Sequence, residues 1–211
     1  MAVPSSGELR LYADIGTELG VAQSNVSLGA MSSTAGFTPP DAMSEFYGYS
    51  PIPAGVYLDS NGVTIKATIT TVVGNEYVLN GVSYIIVSSS SAARTLISGG
   101  RDASTICTTK VTNLLRGLQT IGNADVRNWD VSNVTTVYDC FYGNTTFNRD
   151  ISYWDVSNVQ YNRFTRMFYN ASSFNQDLSG WCVSQVTSTP VQFDSGATSW
   201  TLPRPVWGTC P

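Results

Sequence analysis

The chain has 211 residues, a formal net charge of −4 and no histidine, and only 12% of its residues are charged. This acidic balance, without clusters of lysine and arginine, argues against a nucleic-acid partner, and the lack of histidine removes the commonest general base and zinc ligand. No stretch approaches the roughly 18 apolar residues of a membrane helix, so membrane insertion is not expected. Residues 1–7 lack the basic and apolar regions of a secretory signal, so we expect that a leader either was removed before this numbering or never existed.

The first fifty residues are predicted to form only short elements. One alternating segment is consistent with a strand, and two short helical patterns end at Gly20 and Gly48. None of these elements is long enough to bury a core alone. A proline-punctuated stretch at 50–55 (SPIPAG) marks a boundary. Residues 1–50 are therefore interpreted as a docking or assembly segment.

Two motifs in this segment carry a resemblance. Residues 4–20 (PSSGELRLYADIGTELG) and 43–48 (MSEFYG) resemble the N-terminal module of many tailed-bacteriophage virion proteins, in which such an opening is followed by SLxxFYG. The sequence departs from that pattern at residues 13–14 and 29–40. The resemblance implies that the segment docks the protein onto other virion proteins. The docking residues it implies are Leu9, Leu11, Ile15, Leu19, Phe46 and Tyr47.

The next fifty residues show strand patterns. Apolar and polar residues alternate at 63–68, which predicts a half-buried strand. Asn80-Gly81 lies between two apolar runs and predicts a hairpin, because a type I′ turn needs positive φ at both central residues. A serine run precedes a predicted helix at 92–97. Residues 51–104 are predicted to form a β-rich capping domain that covers the open end of the repeats that follow.

The second half of the chain repeats itself. The motif WDVSNV at 129–134 returns unchanged at 154–159, and FNRDIS at 147–152 returns as FNQDLS at 174–179. A period in the mid-twenties indicates a stacked solenoid whose units bury their apolar faces only against their neighbours.

These motifs resemble the BspA-like surface repeat, a variant of the leucine-rich repeat found in bacterial surface and lipoprotein-associated proteins. The resemblance covers residues 105–211 and implies a surface-exposed recognition module with a C-terminal cap. The predicted fold class is α+β: a docking segment (1–50), a β-rich cap with a hairpin (51–104) and a short leucine-rich-repeat-like solenoid of about 25-residue coils (105–211).

Residues that recur at fixed repeat positions are predicted to be structural. An aromatic residue at strict repeat spacing is normally buried, and an asparagine side chain readily hydrogen-bonds neighbouring backbone at a corner. The predicted repeat core comprises Trp129, Trp154, Trp181, Val134, Val159, Asn133 and Asn158. The recurring Asp125, Asp150 and Asp177 are expected to cap turns, since no calcium-loop spacing accompanies them.

The four cysteines do not form a C-x-x-C pair, so metal binding is not expected. Their even number fits disulfides in an oxidising setting. We predict a bond between Cys182 and Cys210, which would close the last repeat onto the tail and stabilise by roughly 3–4 kcal/mol. For Cys140 a buried free thiol and a disulfide are both open, and the state of Cys107 is open as well.

Tyrosine and arginine cluster at or between the shared repeat positions. These residue types make amphipathic contacts at protein interfaces and on carbohydrate, whereas the alternative is that each ring is half-buried between coils. The predicted recognition surface comprises Tyr138, Tyr142, Tyr153, Tyr161, Arg163, Arg166 and Tyr169. Its expected partner is a host surface glycan or protein.

The sequence carries no nucleophile elbow, phosphate loop or metal cluster, so neither enzymatic activity nor a cofactor is expected. We expect a virion structural protein of a tailed bacteriophage, present on the virion exterior as a decoration, fibre or adhesin-type component. Such proteins usually assemble with cyclic symmetry, so a homo-oligomer is expected. The alternative is a bacterial cell-surface adhesin of the BspA-like type.

Overall fold

The structure is a computed structural model that describes residues 54–211, which form one compact unit. The predicted docking segment, with Leu9, Leu11, Ile15, Leu19, Phe46 and Tyr47, lies outside the described residues. Within residues 54–211, no helix is long and apolar enough to cross a membrane.

The first sheet consists of two short antiparallel strands. Strands β1 (Val56–Leu58) and β2 (Ile65–Ala67) are joined by a turn in which the Asn61 carboxamide oxygen accepts the main-chain N–H of Thr64 at 2.9 Å. The main-chain N–H of Ile65 donates to the carbonyl of Asn128 at 2.9 Å, so β2 is hydrogen-bonded directly to the repeat region.

The second sheet has the order β3-β4-β5. Strands β3 and β4 are antiparallel and turn at Asn80 and Gly81, whose φ values of 50° and 80° suit the type I′ geometry. Strands β4 and β5 are parallel. The strands span Glu76–Leu79 (β3), Val82–Ile86 (β4) and Ile106–Cys107 (β5).

Helix α1 (Ser90–Ser98) connects the two parallel strands. Its N-terminus follows Ser89, whose hydroxyl accepts the main-chain N–H of Ala92 at 3.2 Å and so satisfies a free helix donor. The helix ends at Gly99. A short 3-10 helix (Ala103–Thr105) then leads into β5.

Residues 108–211 form consecutive turns. Their main-chain N–H groups donate alternately to a carbonyl within the same turn and to a carbonyl of the next repeat. The N–H of Cys140 donates to the Val137 carbonyl three residues back, at 3.0 Å. The N–H of Phe141 donates instead to the Met167 carbonyl, one repeat further along the chain, at 2.8 Å. Backbone hydrogen bonds therefore close each turn and also join it to the next repeat.

The predicted fold class, an α+β chain ending in a leucine-rich-repeat-like solenoid, is wrong. The described residues contain one α-helix and two small sheets, and the only regular element among residues 108–211 is a 3-10 helix (Tyr161–Arg163). Extended strands cannot run through these repeats because left-handed residues recur in them. The non-glycine residues Arg116, Asp139, Arg166 and Gln192 have φ values of 51°, 53°, 52° and 51°.

Aromatic side chains hold the repeats together. Phe141 stacks on Phe168 with ring centroids 5.4 Å apart, and Phe147 stacks on Phe174 at 5.9 Å. The indole N–H of each predicted tryptophan donates to a main-chain carbonyl 26 to 30 residues earlier. Trp154 donates to Val126 at 3.0 Å and Trp181 to Ile151 at 3.1 Å, each in the preceding repeat, and Trp129 donates to Ala103 of the short 3-10 helix at 2.9 Å.

The other predicted repeat residues divide between core and surface. Val134 and Val159 are buried in the same hydrophobic core as the tryptophans. Asn133 and Asn158 are exposed, and each side-chain amide donates to a carbonyl of the preceding repeat.

The predicted pair Cys182 and Cys210 is joined by a disulfide that closes the last repeat onto the tail. Cys107 and Cys140 are free and buried. Burial raises the pKa of both thiols, and that of Cys140 lies well above its usual value.

Candidate recognition surface

The centre of the candidate site is a buried aspartate held between two arginines. The side chain of Asp139 is only 3% exposed. Its carboxylate accepts Nε and Nη2 of Arg166 at 2.8 Å and 2.9 Å, and Nε of Arg116 at 3.2 Å. The three residues occupy the left-handed position of successive repeats, which lines them up along the repeat direction.

Two tyrosine rings lie against Arg166. The guanidinium carbon of Arg166 lies 5.3 Å from the Tyr138 ring centroid and 5.4 Å from that of Tyr142, within cation–π range. Its Nη2 also donates to the Tyr138 hydroxyl at 3.0 Å. Tyr142 stacks on Tyr169 of the next repeat, with centroids 4.9 Å apart and ring planes 10° apart. We call Arg116, Tyr138, Asp139, Tyr142, Arg166 and Tyr169 the Tyr–Arg surface.

The charge of this surface is opposite to that of the whole chain. Two guanidinium groups share one carboxylate, which leaves an excess positive charge in a chain whose net charge is −4. The hydrogen bonds that Arg166 donates to the Asp139 carboxylate raise the pKa of Arg166, so its guanidinium stays charged. A hollow of about 330 Å³ beside it is lined by Arg116, Gln119, Asp139, Tyr142 and Arg166.

The structure brings together part of the predicted recognition set. Tyr138, Tyr142, Arg166 and Tyr169 lie in the Tyr–Arg surface. The other three predicted residues lie elsewhere: Tyr153 lines a separate hollow with Asp125 and Asp150, and Tyr161 and Arg163 are exposed in the 3-10 helix. The recognition role of all seven residues stays a prediction.

Sequence reasoning missed Asp139, which binds Arg166, and Arg116, which binds the same carboxylate. Asp139 and Arg116 lie outside the motifs that the repeats share, so the comparison of repeats did not single them out. A signal was present, however, because opposite charges stand in one repeat column at 116, 139 and 166, at intervals close to the repeat period.

A comparison with models of known protein families identifies the family of this chain. A family model described as "Mycoplasma protein of unknown function, DUF285" matches residues 94–203, which is more than half of the chain. The chain belongs to the DUF285 family. No curated protein and no solved structure matches it.

The DUF285 region contains the whole Tyr–Arg surface and the indole hydrogen bonds of Trp129, Trp154 and Trp181. The match fits the BspA-like resemblance loosely and is compatible with a surface-repeat protein of unknown function, and it shows no link to bacteriophages. Within the described residues, no group of histidine, cysteine, aspartate or glutamate side chains is placed to hold a metal ion.

Proposed function

We propose that this protein is a non-enzymatic surface-recognition protein, whose Tyr–Arg surface binds a partner protein or glycan. The observation that supports the proposal is the fixed position of Arg166, which is held by the buried Asp139 carboxylate and flanked by the rings of Tyr138 and Tyr142. Tyrosine and arginine dominate binding hot spots, and side chains that are already immobilised lose little entropy when a partner docks.

The charge of this surface favours an acidic partner. The side chain of Arg116 is 65% exposed, and its two Nη groups have no hydrogen-bond partner among residues 54–211. A guanidinium with free Nη groups can bind a carboxylate through two parallel hydrogen bonds. The proposed partner therefore presents a carboxylate, of a glycan or of an acidic side chain, to Arg116 while its apolar surface packs on Tyr142 and Tyr169.

The proposed carrier of this surface is the exterior of a tailed-bacteriophage virion, where the protein would be a decoration, fibre or adhesin-type component. The support is the resemblance of residues 4–20 and 43–48 to virion docking modules, which also suggests contacts with other virion proteins and homo-oligomeric assembly. The second candidate is an adhesin on a bacterial cell surface, which the DUF285 match favours.

Fractionation of the source culture tests the location. Quantitative mass spectrometry is applied to gradient-purified particles and to the cell-envelope fraction of the same culture. A stoichiometric amount in the particles is the result expected of a virion protein. Recovery in the envelope fraction without enrichment in particles would favour the adhesin, and recovery in the cytosol alone would contradict surface recognition altogether.

A further inference from the structure

Two adjoining hollows follow the row of repeat aspartates. The first has a volume of about 550 Å³ and the second about 320 Å³, and Asp150 lines both. We call them together the aspartate groove. The lining residues that matter here are Asp125, Arg127, Asn128 and Tyr153 in the first hollow and Asp177 and Gly180 in the second. None of them belongs to the Tyr–Arg surface.

An exposed tyrosine ring stands in this groove. Asn128, Tyr153 and Gly180 occupy the same repeat position, immediately before the buried tryptophan. Tyr153 is 48% exposed, and it has no hydrogen bond and no ring contact with any other residue of 54–211. At Gly180 an added Cβ would meet no atom within 4 Å. The Tyr153 ring therefore faces open space where the next repeat carries no side chain.

Oriented hydrogen-bond acceptors lie on the floor of the groove. Oδ1 of Asp150 accepts the main-chain N–H of Ser152 at 2.9 Å, and Oδ1 of Asp177 accepts the N–H and the hydroxyl of Ser179 at 2.9 Å and 2.7 Å. These bonds fix both carboxylates, and the Oδ2 atom of each has no partner among the described residues. The Ser179 bonds also lower the pKa of Asp177, so it is an ionised acceptor at neutral pH.

The aspartate groove contains a positive charge as well as negative ones. Arg127 donates to both oxygens of Asp125 at 2.8 Å and 2.7 Å, which offsets that carboxylate and places a cation in the first hollow. The groove still holds more carboxylates than cations, and a neutral ligand with many hydroxyl groups can donate to these carboxylates and accept from Arg127. Carboxylates, an amide, a guanidinium and an exposed aromatic ring together suit the hydroxyl groups and the apolar face of a sugar.

We propose that the aspartate groove binds a neutral oligosaccharide, with one sugar ring against Tyr153 and sugar hydroxyl groups donating to Asp150 and Asp177. Backbone hydrogen bonds join adjacent repeats, and the stacked Tyr142 and Tyr169 rings of two such repeats have centroids 4.9 Å apart. Because Asp125, Asp150 and Asp177 belong to three successive repeats, the groove is long enough to contact more than one sugar unit. This second site goes beyond the proposed function and does not depend on the Tyr–Arg surface.

Isothermal titration calorimetry of the full chain with three neutral hexasaccharides (cellohexaose, chitohexaose and maltohexaose) tests the proposal. We expect at least one to bind. Tyr153→Ala should weaken that binding about tenfold, because it removes the ring on which the sugar packs. Gly180→Gln should weaken it similarly by filling the second hollow, and the open space around this residue allows the variant to fold.

The matched control is Tyr57→Ala, which removes a tyrosine of similar exposure, 45%, outside the groove and should leave the affinity within about twofold. Failure of all three hexasaccharides to bind would overturn the proposal. So would binding that neither Tyr153→Ala nor Gly180→Gln weakens. Binding of an oligolysine peptide in place of the sugars would overturn the ligand class.

Discussion

Replacement of Trp154 by phenylalanine tests whether the indole hydrogen bonds hold the repeats together. Trp154 is 2% exposed, and its indole N–H donates to the Val126 carbonyl. That carbonyl also accepts the Trp129 main-chain N–H at 3.2 Å, so it keeps one donor in the variant. The lost hydrogen bond should therefore cost only about 1 kcal/mol. The ring atoms that phenylalanine does not replace add about 2 kcal/mol.

The expected decrease in the free energy of unfolding is thus about 3 kcal/mol, which corresponds to a fall in Tm of about 6–12 °C for a chain of this size. Urea and thermal unfolding followed by far-UV circular dichroism measure it. The control is Trp207→Phe, at a half-buried ring that packs on Phe164 and Phe193 at 5.7 Å and 5.0 Å but donates no indole hydrogen bond within residues 54–211. We expect it to cost about 1 kcal/mol. Equal losses in the two variants would refute the reasoning.

Other predictions concern the cysteines, the acid range and catalysis. The double variant Cys182→Ser, Cys210→Ser lacks the disulfide that joins two residues 28 positions apart, so its free energy of unfolding in urea should fall by about 3–4 kcal/mol. An unchanged midpoint of urea unfolding would contradict this. The two free thiols are buried with raised pKa values, so a thiol reagent should label none in the native protein and two after unfolding. The hydrogen bonds from Arg127 lower the pKa of Asp125 below its ordinary 3.8, so the stability they contribute is complete above pH 3.8 and is lost as the pH falls through the lowered value. Asp125→Asn should therefore flatten the acid-side loss of stability, and an identical pH profile would contradict that cause. Because we propose no catalysis, mass spectrometry should find a bound hexasaccharide intact after incubation, and shortened products would contradict the non-enzymatic function.

Features that depend on spacing were accessible from the sequence. Trp129 and Trp154 recur at one repeat position, and a large aromatic side chain at such a position has one favourable environment, which is the core. The stacking of Tyr142 on Tyr169 follows from the same argument, because both occupy one position in successive copies. The turn at Asn80 could be predicted because few dipeptides other than Asn-Gly adopt positive φ at both positions.

The backbone conformation of the repeats could not be predicted in this way. A repeat period gives the distance between copies and says nothing of whether each copy is extended or turned. Left-handed φ values fall on the non-glycine residues Arg116, Asp139 and Arg166 as well as on glycines such as Gly143, and nothing in those three residue types indicates that strands would be interrupted. The separation of Tyr153 from the other tyrosines was missed for a related reason: its column holds Asn128 and Gly180, and no second ring.

Adhesion to intact cells tests the recognition function most directly. Beads coated with the full chain are incubated with cells of the bacterium from the source culture, beside beads that carry Tyr142→Ala with Tyr169→Ala, or Asp139→Asn. Asparagine tolerates the left-handed backbone at 139 but removes the charge that holds Arg166. A control variant, Tyr57→Ala, removes a ring of 45% exposure in β1. We predict that wild-type and control beads adhere equally and that both test variants adhere about tenfold less. Equal adhesion by all four proteins, or no adhesion by the wild type, would contradict recognition through the Tyr–Arg surface.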